Sequence, residues 1–143
     1  MITATIIGKY FQSKNNELSE IQIQKLTYYA YVWYMVINNG KKLFEERPQA
    51  WVHGPVFRTL FKDMKYNRNK FLNMDAELEV LGQDVRKFLD TIYRLYGKYS
   101  GNELESLTHS EMPWRSARQG KKDYEYSEEL IRDEDIMQYY GQA

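Results

Sequence analysis

Residues 18–40 read LSEIQIQKLTYYAYVWYMVINNG, Leu18 to Gly40, and the fold turns on how they are read. Ser19 stands three residues before Gln22. That is the spacing of a capping box, in which each side chain satisfies the other's backbone N–H. Ile23, Leu26, Ala30, Trp33 and Ile37 then recur at helical spacing. Asn39-Gly40 closes the segment, because Gly takes the left-handed conformation that ends helices. The longest apolar run, Tyr28 to Ile37, covers only about 15 Å as helix, roughly half a bilayer core. The segment predicts a helix buried in protein, and no membrane partner is expected.

Working outward, Ile2 to Lys14 reads as a first helix with Ile2, Ile6 and Tyr10 on one face, broken by KNNE. Leu43-Phe44 and Ala50-Trp51-Val52 flank EERPQ and read as two short strands of a small hairpin. Pro55 suits the first turn of a third helix, Val56 to Lys65, because that position needs no N–H donor. Val56, Leu60, Phe61 and Met64 mark its inner side. KYNRNKF reads as a loop. Gln83 to Tyr99 forms a longer helix with Val85, Phe88, Leu89, Ile92, Tyr96 and Tyr99 on one stripe. Ser100 and Glu103 repeat the capping-box spacing. A Pro113-Trp114 corner follows, and a last short helix is expected with Asp133 as its cap. The expected fold class is mainly α with a small β hairpin, a compact helical bundle-like core in one domain over residues 1–143.

A chain of 143 residues can bury a real core without metal or disulfide staples. With 43% hydrophobic and 28% charged residues, intrinsic disorder is excluded as a description of the whole chain. Twenty basic residues balance twenty acidic ones, so no net field steers the protein toward nucleic acid or an anionic membrane. There are no cysteines, which removes disulfides, thiolate zinc sites and a cysteine nucleophile, and agrees with a reducing cytoplasm. The opening MITATIIGKYFQ lacks the charged-then-apolar order of a secretory leader. Thirteen tyrosines are many for this length. They fit a core with a polar-aromatic rim, or a surface for another protein.

Motifs for catalysis are sparse. No HExxH, GxSxG, Walker A or GxGxxG pattern occurs, so no cofactor and no metal are expected. His53 and His109 are the two histidines. His109 and Glu111 are two apart, which on a helix points them in different directions. An acid–base cluster of His53, His109 and Glu111 would need the fold to gather distant segments. Otherwise His53 satisfies a backbone carbonyl at the Gly54-Pro55 corner. Arg58, Lys62, Lys65, Arg68 and Lys70 form one basic run, and Arg115, Arg118, Lys121 and Lys122 another. Were the two to meet, they would form a phosphate-binding patch, the alternative of a nucleic-acid-binding regulator. The acidic stretch Asp123 to Asp135 is placed to neutralise one of them.

Three blocks carry a resemblance when taken in order. IQKLTYYAYVWY supplies Lys25, Leu26, Tyr28, Tyr29, Ala30 and Trp33. AWVHGPVFRTLF supplies Ala50, Trp51, Gly54, Pro55 and Val56. LESLTHSEMPWRSAR supplies Leu107, Thr108, His109, Pro113 and Trp114. Together they resemble the Panacea domain family, with its phage-associated GepA-like proteins and SocA-type antitoxins. The closing IRDEDIMQYY resembles that family's last short helix, so the likeness spans about Ile2 to Tyr140. Tyr31 departs from a more usual small or polar residue.

The resemblance implies a mainly helical, non-enzymatic protein. Its expected partner is a cognate protein toxin encoded next to it. For the SocA type it also implies a proteolytic adaptor that delivers the toxin to an ATP-dependent protease. Residues of the three blocks are then structural: Trp51 anchors the corner in the core, and Thr108 and His109 satisfy backbone groups near it. Toxin-binding candidates are surface residues outside the blocks' pattern, namely Tyr31, Tyr34, Arg58, Lys62, Tyr66, Arg68, Tyr139 and Tyr140. Tyr and Arg are chosen because they combine contact area with directional hydrogen bonds.

Overall fold

The computed structural model describes residues 1–142. Its organising element is helix α2, Glu20–Ile37, preceded in the chain by α1, Ala4–Lys14. Both ends of the Ser19 box are made: Gln22 N–H donates to Ser19 Oγ, and the Ser19 N–H donates to Gln22 Oε1. Every residue from Ile23 to Val32 is buried. A helix buried on all sides has no single apolar stripe. This agrees with the buried helix that the segment predicts. Lys25 and Gln24 are inside too, whereas Ile37, one of the residues at helical spacing, is 62% exposed.

α1 starts with Thr3 Oγ1 accepting from Ile6 N–H. Gly8 lets it lie close to its neighbour, since a Cβ there would sit 2.7 Å from Leu60 Cδ1. After α2 the chain turns through Asn39 and Gly40, both at positive φ. Leu43 and Phe44 are not a strand. They are buried side chains of an irregular segment, and Phe44 packs between the rings of Tyr31 and Phe57. The hairpin is instead β1, Gln49–Trp51, against β2, Gly54–Val56, antiparallel, with Ala50 opposite Pro55. Pro55 therefore belongs to a strand and not to a helix start, and α3 runs Arg58–Tyr66. Phe57 offers α3 no side-chain cap. Glu46 supplies one from outside the helix, its carboxylate accepting from Thr59 N–H at 3.0 Å, while Gln24 holds the Phe57 backbone, its amide donating to Phe57 O and its Oε1 accepting from Phe57 N–H.

KYNRNKF is not all loop, because α4 occupies Arg68–Leu72, followed by a 3-10 turn at Asp75–Val80. α5 is Gln83–Tyr96 and α6 is Gly101–His109, the latter started by the Ser100–Glu103 box. The Pro113-Trp114 corner is a short helix, α7, Met112–Ala117. α8 is Asp133–Tyr140, with Arg132 at its N-cap and no side-chain cap bond. Asp133 does not cap it, because its carboxylate accepts the Tyr31 hydroxyl at 2.8 Å. Residues 129–131 run along the free edge of β1: Ala50 N–H donates to Glu129 O and Ile131 N–H to Pro48 O. That coverage blunts an edge open to foreign strands. The fold is mainly helical with one small antiparallel sheet.

Candidate partner-binding surface

Most residues of the three sequence blocks face inward. Lys25 lies under the hairpin, wholly buried, and its Nζ donates to Pro55 O at 3.2 Å. Burial pulls its pKa down to about 7, against an upward pull from Glu105. Gly54 sits at φ +106°, and a Cβ there would be 2.5 Å from Lys25 Cε and 2.9 Å from Thr108 Oγ1. Glycine is thus required twice, by its dihedral and by its neighbours. Thr108 is at the corner as expected, with its hydroxyl donating to Glu105 O.

The tryptophans exchange roles. Trp51 is only half-buried, edge-on to Phe61. Trp114 is the core residue, and its indole N–H donates to Trp51 O at 2.9 Å. His109 stacks on Trp114 with ring centres 4.0 Å apart. Burial lowers its pKa, opposed by Glu105 and by the nearby Val52 backbone. The expected backbone role of His109 is not met at Nε2, which is buried without a hydrogen-bond partner among the described residues. His53 does not hold a corner carbonyl. It is exposed, with Nδ1 3.1 Å from Glu105 Oε1.

Glu111 is buried behind α2. Its Oε1 accepts the hydroxyls of Tyr29 at 2.8 Å and Tyr140 at 2.7 Å. Desolvation raises its pKa, and the two hydroxyls oppose that rise. Tyr29 stacks on Tyr96, whose hydroxyl accepts the Trp33 indole N–H. His53, His109 and Glu111 are thus each engaged with a different partner. Among the described residues no group of three or more His, Asp or Glu could hold a metal ion. Among the described residues no helix is long and apolar enough to cross a membrane.

The arginines of the two basic runs are committed, whereas Lys62, Lys65, Lys70, Lys121 and Lys122 are exposed without an ion pair among the described residues. Arg118 is 1% exposed and donates to the carbonyls of Ala50, Lys122 and Glu125 while lying over the Trp114 ring. It pins the 119–130 segment and does not face a ligand. Arg58 pairs with Glu128, Arg68 with Glu20 and Arg115 with Asp123.

A family model described as "Antitoxin SocA-like, Panacea domain" matches residues 23–115, about two thirds of the chain. The chain belongs to that family. No curated protein and no solved structure matches it. The match to the Panacea domain begins within α2 and ends within α7, so α1 and α8 lie outside it. Both pack on the matched part all the same: Tyr140 of α8 reaches Glu111, and Thr5 of α1 donates to Asp63 of α3.

Two of the candidate contact residues on this Panacea domain are not on its surface. Tyr31 is fully buried between Phe44 and Phe57, and Tyr140 is 3% exposed against Tyr28 and Tyr29. Their hydroxyls found internal acceptors, Asp133 and Glu111, which sequence spacing could not reveal. Tyr34 is half-buried against Phe88. Arg58, Lys62, Tyr66 and Arg68 are exposed together on α3 and α4, with Tyr66 at 69%. Tyr139 is 38% exposed on α8.

Sequence reasoning missed a groove of about 530 Å³ between α2 and α5. Trp33 and Ile37 form one wall, and Phe88, Ile92, Leu95 and Tyr96 the other. Leu95 is 51% exposed. The available signal was that Leu95 extends the α5 apolar stripe one position beyond what a single inward face needs.

Proposed function

We propose that this chain, as a single domain, neutralises a cognate protein toxin by binding it directly in the cytoplasm. The family match over residues 23–115 carries this reading. The burial of Lys25, Gly54, Thr108 and Trp114 supports it, because the most characteristic residues then build a scaffold and leave the surface free to vary. Inhibition needs no turnover. It needs coverage of the toxin's working surface, with a few aromatic and Arg or Lys anchors contributing most of the affinity. The exposed candidates that remain are Arg58, Lys62, Tyr66, Arg68, Tyr139 and the half-exposed Tyr34.

Delivery of the toxin to an ATP-dependent protease is the finer form of the same reading. Inducible co-expression with the adjacent open reading frame tests both. Relief of growth arrest is expected; persistent arrest at matched expression removes the pairing. Adaptor action predicts that the toxin's half-life shortens only when both this chain and the protease are present. An unchanged half-life alongside full rescue leaves direct inhibition alone.

A further inference from the structure

The α2–α5 groove is apolar on its floor, and Lys87 is the charged side chain among its lining residues. On α5, Lys87, Thr91 and Arg94 recur at i, i+4 and i+7, which aligns them on one strip of helix, and Lys98 follows in the turn just past the helix end at Tyr96. Lys87, Arg94 and Lys98 are exposed, and among the described residues none has a carboxylate within ion-pair distance. Asp84 sits on the same side one turn earlier. Beside the strip, Leu95 and Ile37 leave half or more of their surface in water over a floor latched by the Trp33–Tyr96 hydrogen bond. From Lys87 to Arg94 the strip runs about 10 Å, two turns of helix.

An apolar trough of that length matches the apolar face of one amphipathic helix, read as anchors at i, i+4 and i+7. The unpaired cations select the sign of its flank. We infer that the groove receives an acidic amphipathic helix of the toxin, with its apolar face on Ile37, Phe88 and Leu95 and its carboxylates on Lys87, Arg94 and Lys98. The toxin as owner of that helix rests on the antitoxin reading above; the chemistry of the occupant does not.

Two arms test it. In the first, fluorescein-labelled helical peptides of about four turns, with leucines at i, i+4, i+7 and i+11 and flanks of all Glu or all Lys, are titrated with the full chain by anisotropy. The acidic peptide binds, weakens as salt rises, and loses about tenfold or more in affinity with Leu95→Arg or with Lys87→Glu plus Lys98→Glu. These positions are exposed, and unchanged circular dichroism checks that the variants fold. Equal binding of both peptides, or indifference to Leu95→Arg, overturns the proposal. So does a dimer in sedimentation that Leu95→Arg dissolves, since the occupant is then a second copy. In the second arm the same variants are co-expressed with the toxin. Loss of rescue supports the groove. If wild type and variants rescue equally, the groove falls while the antitoxin reading stands. If wild type fails to rescue, the antitoxin reading falls and the peptide arm still decides what the groove binds.

Discussion

Replacing Lys25 by Met should stabilise the protein at neutral pH, and the gain should disappear in mild alkali. Lys25 is wholly buried, makes one hydrogen bond, and has its pKa lowered by burial from 10.5 to about 7. The unfolded chain keeps this proton up to about pH 10.5, whereas the folded chain releases it near 7. Between those values the unfolded state binds more protons, so this group's contribution to stability rises with pH. A tenfold loss of proton affinity on folding corresponds to about 1.4 kcal/mol. The penalty carried by Lys25 is therefore on the order of 4 kcal/mol at pH 7, constant below that, and about 1 to 2 kcal/mol by pH 9.5. Met keeps the stem and removes the titration. It also leaves the Pro55 carbonyl unpaired, a cost of about 1–3 kcal/mol. The net expectation at pH 7 is a gain of about 1–3 kcal/mol, with the difference between variant and wild type falling by roughly 3 kcal/mol from pH 7 to 9.5. Burial raises the pKa of Tyr28, Tyr29, Tyr31 and Tyr140, which keeps those folded hydroxyls neutral over this range. Urea unfolding at several pH values, followed by tryptophan fluorescence, reads the difference directly. A difference that stays flat between pH 7 and 9.5 would refute the reasoning, because the amine would then hold its charge inside the fold.

Three further outcomes can be checked by the same unfolding measurement or by proteolysis. Gly54→Ala should cost about 2–4 kcal/mol, since it combines a positive φ with a Cβ driven against Lys25 and Thr108. Glu111→Leu should cost about 1–3 kcal/mol by leaving the Tyr29 hydroxyl unpaired and Tyr140 with Tyr28 alone, while Glu111→Gln keeps their acceptor and stays within about 1 kcal/mol of wild type. Because the Glu111 pKa is raised by burial, its contribution falls as pH rises from about 4.5 through the folded value, and Glu111→Gln should remove that slope. Arg118→Met should detach residues 119–130 from β1 and speed tryptic cleavage after Lys121 and Lys122, with protection in wild type and variant alike refuting the pinning role.

The sequence was most informative where structure is local. Both capping boxes, the extent of α5 to within a turn, and the mainly helical class with one small hairpin could be read from spacing, though the hairpin's second strand, expected at Leu43-Phe44, lies at Gly54–Val56. Errors gathered where a distant partner decides. Pro55 fits a helix start by its own conformation, but its pairing with Ala50 draws it into a strand. Leu43 and Phe44 are apolar enough for a strand, yet their side chains fill the space beside Tyr31. Tyr31, Tyr140 and Arg118 look like surface residues because each ends in a polar group. Asp133, Glu111 and three backbone carbonyls satisfy those groups inside, and all but the carbonyl of Lys122 lie at least seven positions away in the chain. The three blocks identified the family because their order and spacing survive such ambiguities; the α2–α5 groove needed two helices to be seen side by side.

Direct mixing of purified partners tests the central claim most sharply. The full chain is combined with the product of the adjacent open reading frame, and complex mass and toxin activity are followed by light scattering after gel filtration and by the toxin's own assay. The account predicts a stable complex of defined stoichiometry, with toxin activity abolished once the chain is in slight excess. Two separate peaks and an undiminished toxin at concentrations of about 10 μM, where a useful inhibitor would be saturated, would contradict it.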